Sequence, residues 1–231
     1  GEGHYPFPPT AVGVAVAAIS WPNTLFSYPI PGTKLPLWNP TDVTLTSGMQ
    51  ATLRTGGLPS ASTMNLLVGN VEGPLGTCAV LVICACGLFL LMRKHLHLSI
   101  FLPYLAVLVV LPWLFPSLNE LPNLSFPWEY VRQRIYLEKY ILLSGTSLFG
   151  GLFLASEPVT CPNRTASRII YGLVLGIAAV AFRYFSIYET GICFALLIVG
   201  AFPEWLDLVG RRAERMRFMK KEEKRLAKHG A

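Results

Sequence analysis

Between residues 76 and 208 the chain carries five stretches that are apolar nearly all round: 76–93, 98–115, 138–156, 168–185 and 190–208. Each holds 18 or 19 residues. As helix, such a stretch extends about 27–29 Å, the thickness of a hydrocarbon core. A soluble core calls for one-sided or alternating patterning. A helix in lipid is apolar on every face, because no water rewards a polar one, and its backbone groups pair internally. The expected fold is therefore all-α, a polytopic membrane helix bundle. A shorter apolar run, TAVGVAVAAISW (10–21), is stopped by Pro22 and brings the expected membrane segments to about six.

The expected organisation has four parts. Residues 1–26 form an incomplete first membrane segment, and upstream helices are expected before Gly1, because the chain opens in turn-rich sequence without a signal-peptide pattern. Residues 27–75, rich in Pro, Gly, Ser and Thr, form a long outward loop. Residues 76–208 are a five-helix membrane domain, and residues 209–231 a basic tail.

Composition agrees with this reading. Hydrophobic residues make up 52% of the chain and charged residues only 14%, where a soluble domain carries about a quarter charged. A net charge of +6 would suit a nucleic-acid ligand, but its distribution does not. Nine of the nineteen Lys and Arg residues follow Val209. A basic tail after a last membrane helix reads as a cytoplasmic anchor, so the expected partner is the lipid bilayer and no nucleic acid. Counting back from the tail, Arg164, Arg168 and RKHLH (93–97) are cytoplasmic, and the segments 22–75 and 116–137 face outward.

The five cysteines (78, 84, 86, 161 and 193) make no metal or disulfide framework. Cys84 and Cys86 lie on opposite sides of a helix, and no His/Glu cluster has zinc spacing. No phosphate-binding loop, nucleophile elbow or dinucleotide fingerprint is present. Three polar features stand out. The first is ASEPVTCPNRTASR (155–168), where Glu157 and Pro158 end a helix rich in glycine (Gly145, Gly150, Gly151) that close packing or a flat cofactor would exploit. The second is Arg183, which inside a span has to snorkel or pair. The third is the hydroxyl-rich stretch 42–76.

Taken in order, GEGHYPFPPTAVGVAVAAISWP, MNLLVGNVEGPLGTCAVLVICACGLFLLMRK, LLSGTSLFGGLFLASEPVT and YETGICFALLIVGAFPEWLD resemble the D subunit of the Rnf complex and the related B subunit of the sodium-translocating NADH:quinone reductase. The resemblance covers the later part of that family's roughly ten-helix fold. It implies a bacterial or archaeal inner-membrane subunit, multi-pass, carrying electrons through flavin. The chain has no Cys ligand set of its own, so the implied partners are other membrane and Fe–S subunits, and such complexes couple electron transfer to Na⁺ or H⁺ movement. In the family, FMN is joined through its phosphate to a threonine by a separate flavin transferase. SGMQATL (47–53) occupies the matching place, so Thr52 is the implied attachment residue, with Thr63 second. The family usually has an aspartate six residues before the threonine, where Thr46 or Gly57 stands here. A second cofactor, riboflavin or a quinone headgroup, is implied near Gly145, Gly150 and Glu157. The competing readings are a quinone-reductase B-type subunit and a flavin-free scaffold or transporter subunit.

The topology predicts that a cysteine introduced at Ala227 is labelled by an impermeant maleimide only after cells are opened, and one at Ser60 in intact cells. Labelling at Ala227 in intact cells contradicts it.

Overall fold

The computed structural model describes residues 7–32, 43–54, 59, 61–115, 127–144, 146–162, 164–202, 205, 208–212, 215–216 and 219. The chain is mostly helical. Helix α1 (Pro9–Ser20) opens on Pro9, where a missing N–H costs nothing. Pro22 stops it and opens the short α2 (Pro22–Leu25). Strand β1 (Ser27–Pro29) then pairs antiparallel with β2 (Leu45–Ser47), with Tyr28 opposite Thr46.

Helix α3 (Met49–Arg54) follows β2 directly, and α4 (Thr63–Val68) comes next. The Ser62 hydroxyl caps α4 by accepting from the Asn65 amide at 3.2 Å. Gly69 closes it in the left-handed region, at φ 94°. The segment 27–75, expected as loop, is thus a hairpin and two short helices among its described residues. The cause is apolar burial within a polar stretch. Met49, Leu53 and Leu66 pack against Leu137, Tyr140 and Ile141.

Those partners belong to α7 (Pro127–Leu143), which corrects two expectations. The second half of the expected outer loop 116–137 is helix, beginning at Pro127; residues 116–126 lie outside the described residues. The stretch 138–156 is not one helix either. Ser144 interrupts it, and the chain resumes as α8 (Thr146–Phe149) and a π-helical turn (Gly150–Leu154). Ser, Gly and Thr in succession are poor helix formers, and the hydroxyls offer the backbone other partners.

The core joins α1, α6 (Leu98–Leu114), α9 (Thr165–Phe185) and α10 (Gly191–Gly200), with Tyr104, Leu175 and Leu196 almost fully buried. Helices α6 and α9 meet through Gly172 and Gly176. A Cβ at Gly172 would overlap the Ile100 carbonyl, and one at Gly176 would lie 2.8 Å from Val107 Cβ. This is G-x-x-x-G packing, in which missing side chains bring two backbones together. Helix α5 (Val80–Met92) sits to the side, with Ile83 packed near Leu152.

Among the described residues, one helix, α9, is long and apolar enough to cross a membrane by itself; α1, α5, α6 and α10 are apolar but shorter. Their outward faces carry large apolar side chains, including Val16, Leu88, Phe89, Met92 and Leu102. All five cysteines are free thiols, with Cys84 and Cys86 exposed and Cys161 and Cys193 buried.

Candidate functional site

Polar groups concentrate where α7 stops and α9 ends. Arg183, in the last turn of α9, turns inward rather than snorkelling. Its Nη1 donates to the Ile141 carbonyl at 3.1 Å, and its Nη2 donates to Ser144 Oγ at 2.9 Å and to Ser147 Oγ. The guanidinium therefore closes the C-terminal end of α7, where unpaired carbonyls and the helix dipole favour a cation. From the other side the Tyr104 hydroxyl donates to the Ser147 carbonyl at 3.2 Å.

The SGMQAT segment docks on the same end. Gln50 on α3 donates through Nε2 to Thr146 Oγ1. Arg54 donates to the Ser186 carbonyl at 3.0 Å. Glu189, buried in the turn between α9 and α10, lies against Gly48. Burial pushes its carboxyl up from the ordinary range, although Tyr28, the amides of Gly48 and Ala51, and Arg54 act in the opposite direction. Two small adjoining cavities fill the remaining space. Gln50, Thr146 and Glu189 line both; Glu72, Cys78 and Ser144 complete the first, and Tyr104, Ser147 and Arg183 the second.

Thr52 stands on α3, half-buried, two residues after Gln50. Thr63 is exposed in the first turn of α4, and its hydroxyl accepts from Lys139 Nζ at 3.0 Å. The ammonium also lies over the Tyr136 and Tyr140 rings, at 4.1 and 4.7 Å. Gly145 lies outside the described residues. Gly150 is packed by a neighbouring helix: a Cβ there would lie 2.8 Å from Ile192 Cγ2, and one at Gly151 would lie 2.6 Å from the Tyr104 ring.

Glu157 is half-buried in the turn after the π-helical segment, within electrostatic reach of Cys161 and Tyr171. Tyr171 and Arg183 are twelve residues apart on α9, or about 18 Å. The threonines and Glu157 therefore belong to opposite ends of the bundle and do not form one site. At the Glu157 end, His97 stands near Arg168, so two of the three basic clusters expected to face the cytoplasm lie together. Burial first, and then Arg168, hold the His97 imidazole below its ordinary value.

Glu189 and the α7 cap were not singled out from the sequence. The available signals were an acid in the short link YET between two apolar helices, and Ser144 and Ser147 three apart beside a glycine.

The chain matches the family described as NQR2, RnfD, RnfE over residues 1–214. It belongs to that family. Among its relatives, the D subunit of an ion-translocating oxidoreductase complex of Methanosarcina acetivorans is 30% identical over 155 residues, covering 66% of this chain and 47% of the relative. The D subunit of a proton-translocating ferredoxin:NAD(+) oxidoreductase complex of Clostridium ljungdahlii is 22% identical, covering 90% of this chain and 60% of the relative. The D subunit of an ion-translocating oxidoreductase complex of Klebsiella pneumoniae is 27% identical, covering 91% and 65%. The chain thus spans about half to two thirds of the length of these NQR2, RnfD, RnfE relatives. The resemblance drawn from the quoted segments and the family agree.

Replacing Arg183 by Ala leaves the Ile141 carbonyl with only the Ser144 hydroxyl, which donates to it at 3.1 Å, and is expected to destabilise the fold by about 2 kcal/mol, as for hydrogen bonds to a charged group. Arg183→Lys should recover little, because one ammonium does not reproduce the fork. Thermal unfolding in detergent measures both; a wild-type melting temperature for Arg183→Ala contradicts the capping role.

Proposed function

We propose that this chain is a membrane subunit of an Rnf-type ion-translocating electron-transfer complex, with flavin joined to the α3 segment. The observation that carries the proposal is the docking of SGMQAT: Gln50, Gly48 and Arg54 tie it to Thr146, Glu189 and Ser186. Relatives named as the D subunit of ion-translocating oxidoreductase complexes favour the Rnf-type reading over the quinone-reductase one. Partner subunits of the same complex would supply the Fe–S centres.

The residues suit such a group. Thr52 offers a hydroxyl on the half-buried helix α3. Next to Glu189 in the chain, the buried Thr190 hydroxyl has no hydrogen-bond partner, leaving donor and acceptor capacity for a polar ring edge. A bound flavin supplies one- or two-electron transfer. The chain's own residues hold the attachment segment against the bundle and keep its polar groups in one place. At the other end, Glu157 beside the π-helical turn is the proposed contact for riboflavin or a quinone headgroup. Ile192 and Tyr104 occupy the space over Gly150 and Gly151, so these glycines serve helix packing and the acid carries that second site.

Membrane insertion is part of the same proposal. Helix α9 provides a complete span, and α1, α5, α6, α10 and the broken α7–α8 segment would complete it. The exposed apolar side chains of α1, α5 and α6 favour lipid contact. The C-terminal tail would face the cytoplasm, and the ion moved would be Na⁺ or H⁺.

The denatured wild-type subunit should fluoresce as a flavin band in a gel, and Thr52→Ala should abolish the band while the protein stays folded, since such a substitution costs about 1 kcal/mol or less. A band that persists in Thr52→Ala and disappears in Thr63→Ala moves the attachment to Thr63. A dark wild-type band supports the scaffold reading instead.

A further inference from the structure

Glu189 occupies a position that helix packing alone does not explain. It is 7% exposed and sits in the turn between α9 and α10. Its carboxylate reaches the backbone of α3 because residue 48 has no side chain, and a Cβ there would overlap the carboxylate oxygens. The amides of Gly48 and Ala51 and the Tyr28 hydroxyl of the hairpin lie within reach of it, while the Ala51 amide also donates to the Gly48 carbonyl at 3.1 Å. Three residues earlier in the same turn, the Ser186 carbonyl accepts from Arg54. The α9–α10 turn therefore grips α3 near both ends, and Thr52 lies between the two grips. A helix of six residues does not hold its shape alone in water, so these tethers set where its hydroxyl points.

Resting on the flavin-attachment reading above, we propose that Glu189 is a positioning residue for attachment: it fixes the first turn of α3 through the Gly48 and Ala51 amides and so presents Thr52 to the transferase. The step it serves is a group transfer without change of oxidation state. The Thr52 hydroxyl oxygen bonds to the phosphorus of a flavin phosphoanhydride. The anhydride P–O bond breaks, the other phosphate leaves with the bridging oxygen, and the hydroxyl proton passes to solvent or to the transferase. The chain's part is to hold the accepting oxygen still.

The test uses the assembled complex coexpressed with the transferase. Flavin fluorescence of the denatured subunit is followed over time and divided by the amount of assembled subunit. Glu189→Ala should slow attachment per assembled subunit at least about tenfold, since displacing a reacting group by about 1 Å can cost on the order of 100-fold. Glu189→Gln keeps an oxygen for the two amides and should recover most of the rate, a rescue that a loss of general stability would not show. Gly48→Ala should reproduce the loss from the α3 side by driving the carboxylate away. Normal attachment in assembled Glu189→Ala overturns the positioning role and leaves Thr52 standing. If Glu189→Ala does not assemble, Gly48→Ala decides, and a wild-type rate there overturns the role. A dark wild-type band in the assembled complex overturns both the role and the attachment reading beneath it.

Discussion

Everything at the polar end of this bundle depends on the guanidinium of Arg183. Helix α7 stops at Leu143, where the last carbonyls of a helix lack intrahelical donors, and the Ser144 hydroxyl turns back to one of them, the Ile141 carbonyl, at 3.1 Å. Arg183 answers with donors to the Ile141 carbonyl and to the Ser144 and Ser147 hydroxyls. A cation at a helix C-terminus also meets the negative end of the dipole. The result is a break in the helix that is tied to α9 rather than left loose. With the end of α9 fixed, the following turn is fixed too. Ser186 can accept from Arg54, and Glu189 can reach Gly48.

Packing and polarity divide the work between the two ends of the molecule. The α6–α9 pair is drawn together by Gly172 and Gly176, which makes α9 a rigid strut with Tyr171 at one end and Arg183 at the other. The α3 and α4 segments gather at the Arg183 end and cover α7 with Leu53 and Leu66. His97, Arg168 and Glu157 gather at the Tyr171 end. The hydroxyl-bearing α3 and α4 segments and the basic groups His97 and Arg168 thus lie at opposite ends of α9.

Much of the helical frame was legible in the residues. Pro22 ends α1 because a proline within a helix loses a hydrogen bond and clashes with the turn before it. Residues 98–115 and 168–185 read as helices because they are apolar throughout, and α6 and α9 lie there. What escaped were features set by tertiary contact. Helix α7 begins at Pro127 because its polar sequence, with Arg132, Arg134 and Lys139, buries Leu137 and Ile141 under α3 and α4, a partner invisible to hydropathy. The two short helices and the hairpin of segment 27–75 exist for the same reason from the other side. Arg183 was legible as a costly residue, but not its partners, which come from forty residues away in the chain. Thr52 was reached through the family's segment pattern, whereas Glu189 becomes visible only when the α9–α10 turn is brought against α3.

The mass of the intact polypeptide, purified from the assembled complex and denatured, tests the central claim most directly. A mass greater than that of the bare chain by one FMN less a water, with the addition on the peptide containing Thr52, is the expected result. A mass equal to that of the bare chain, from a complex that still assembles, would contradict it.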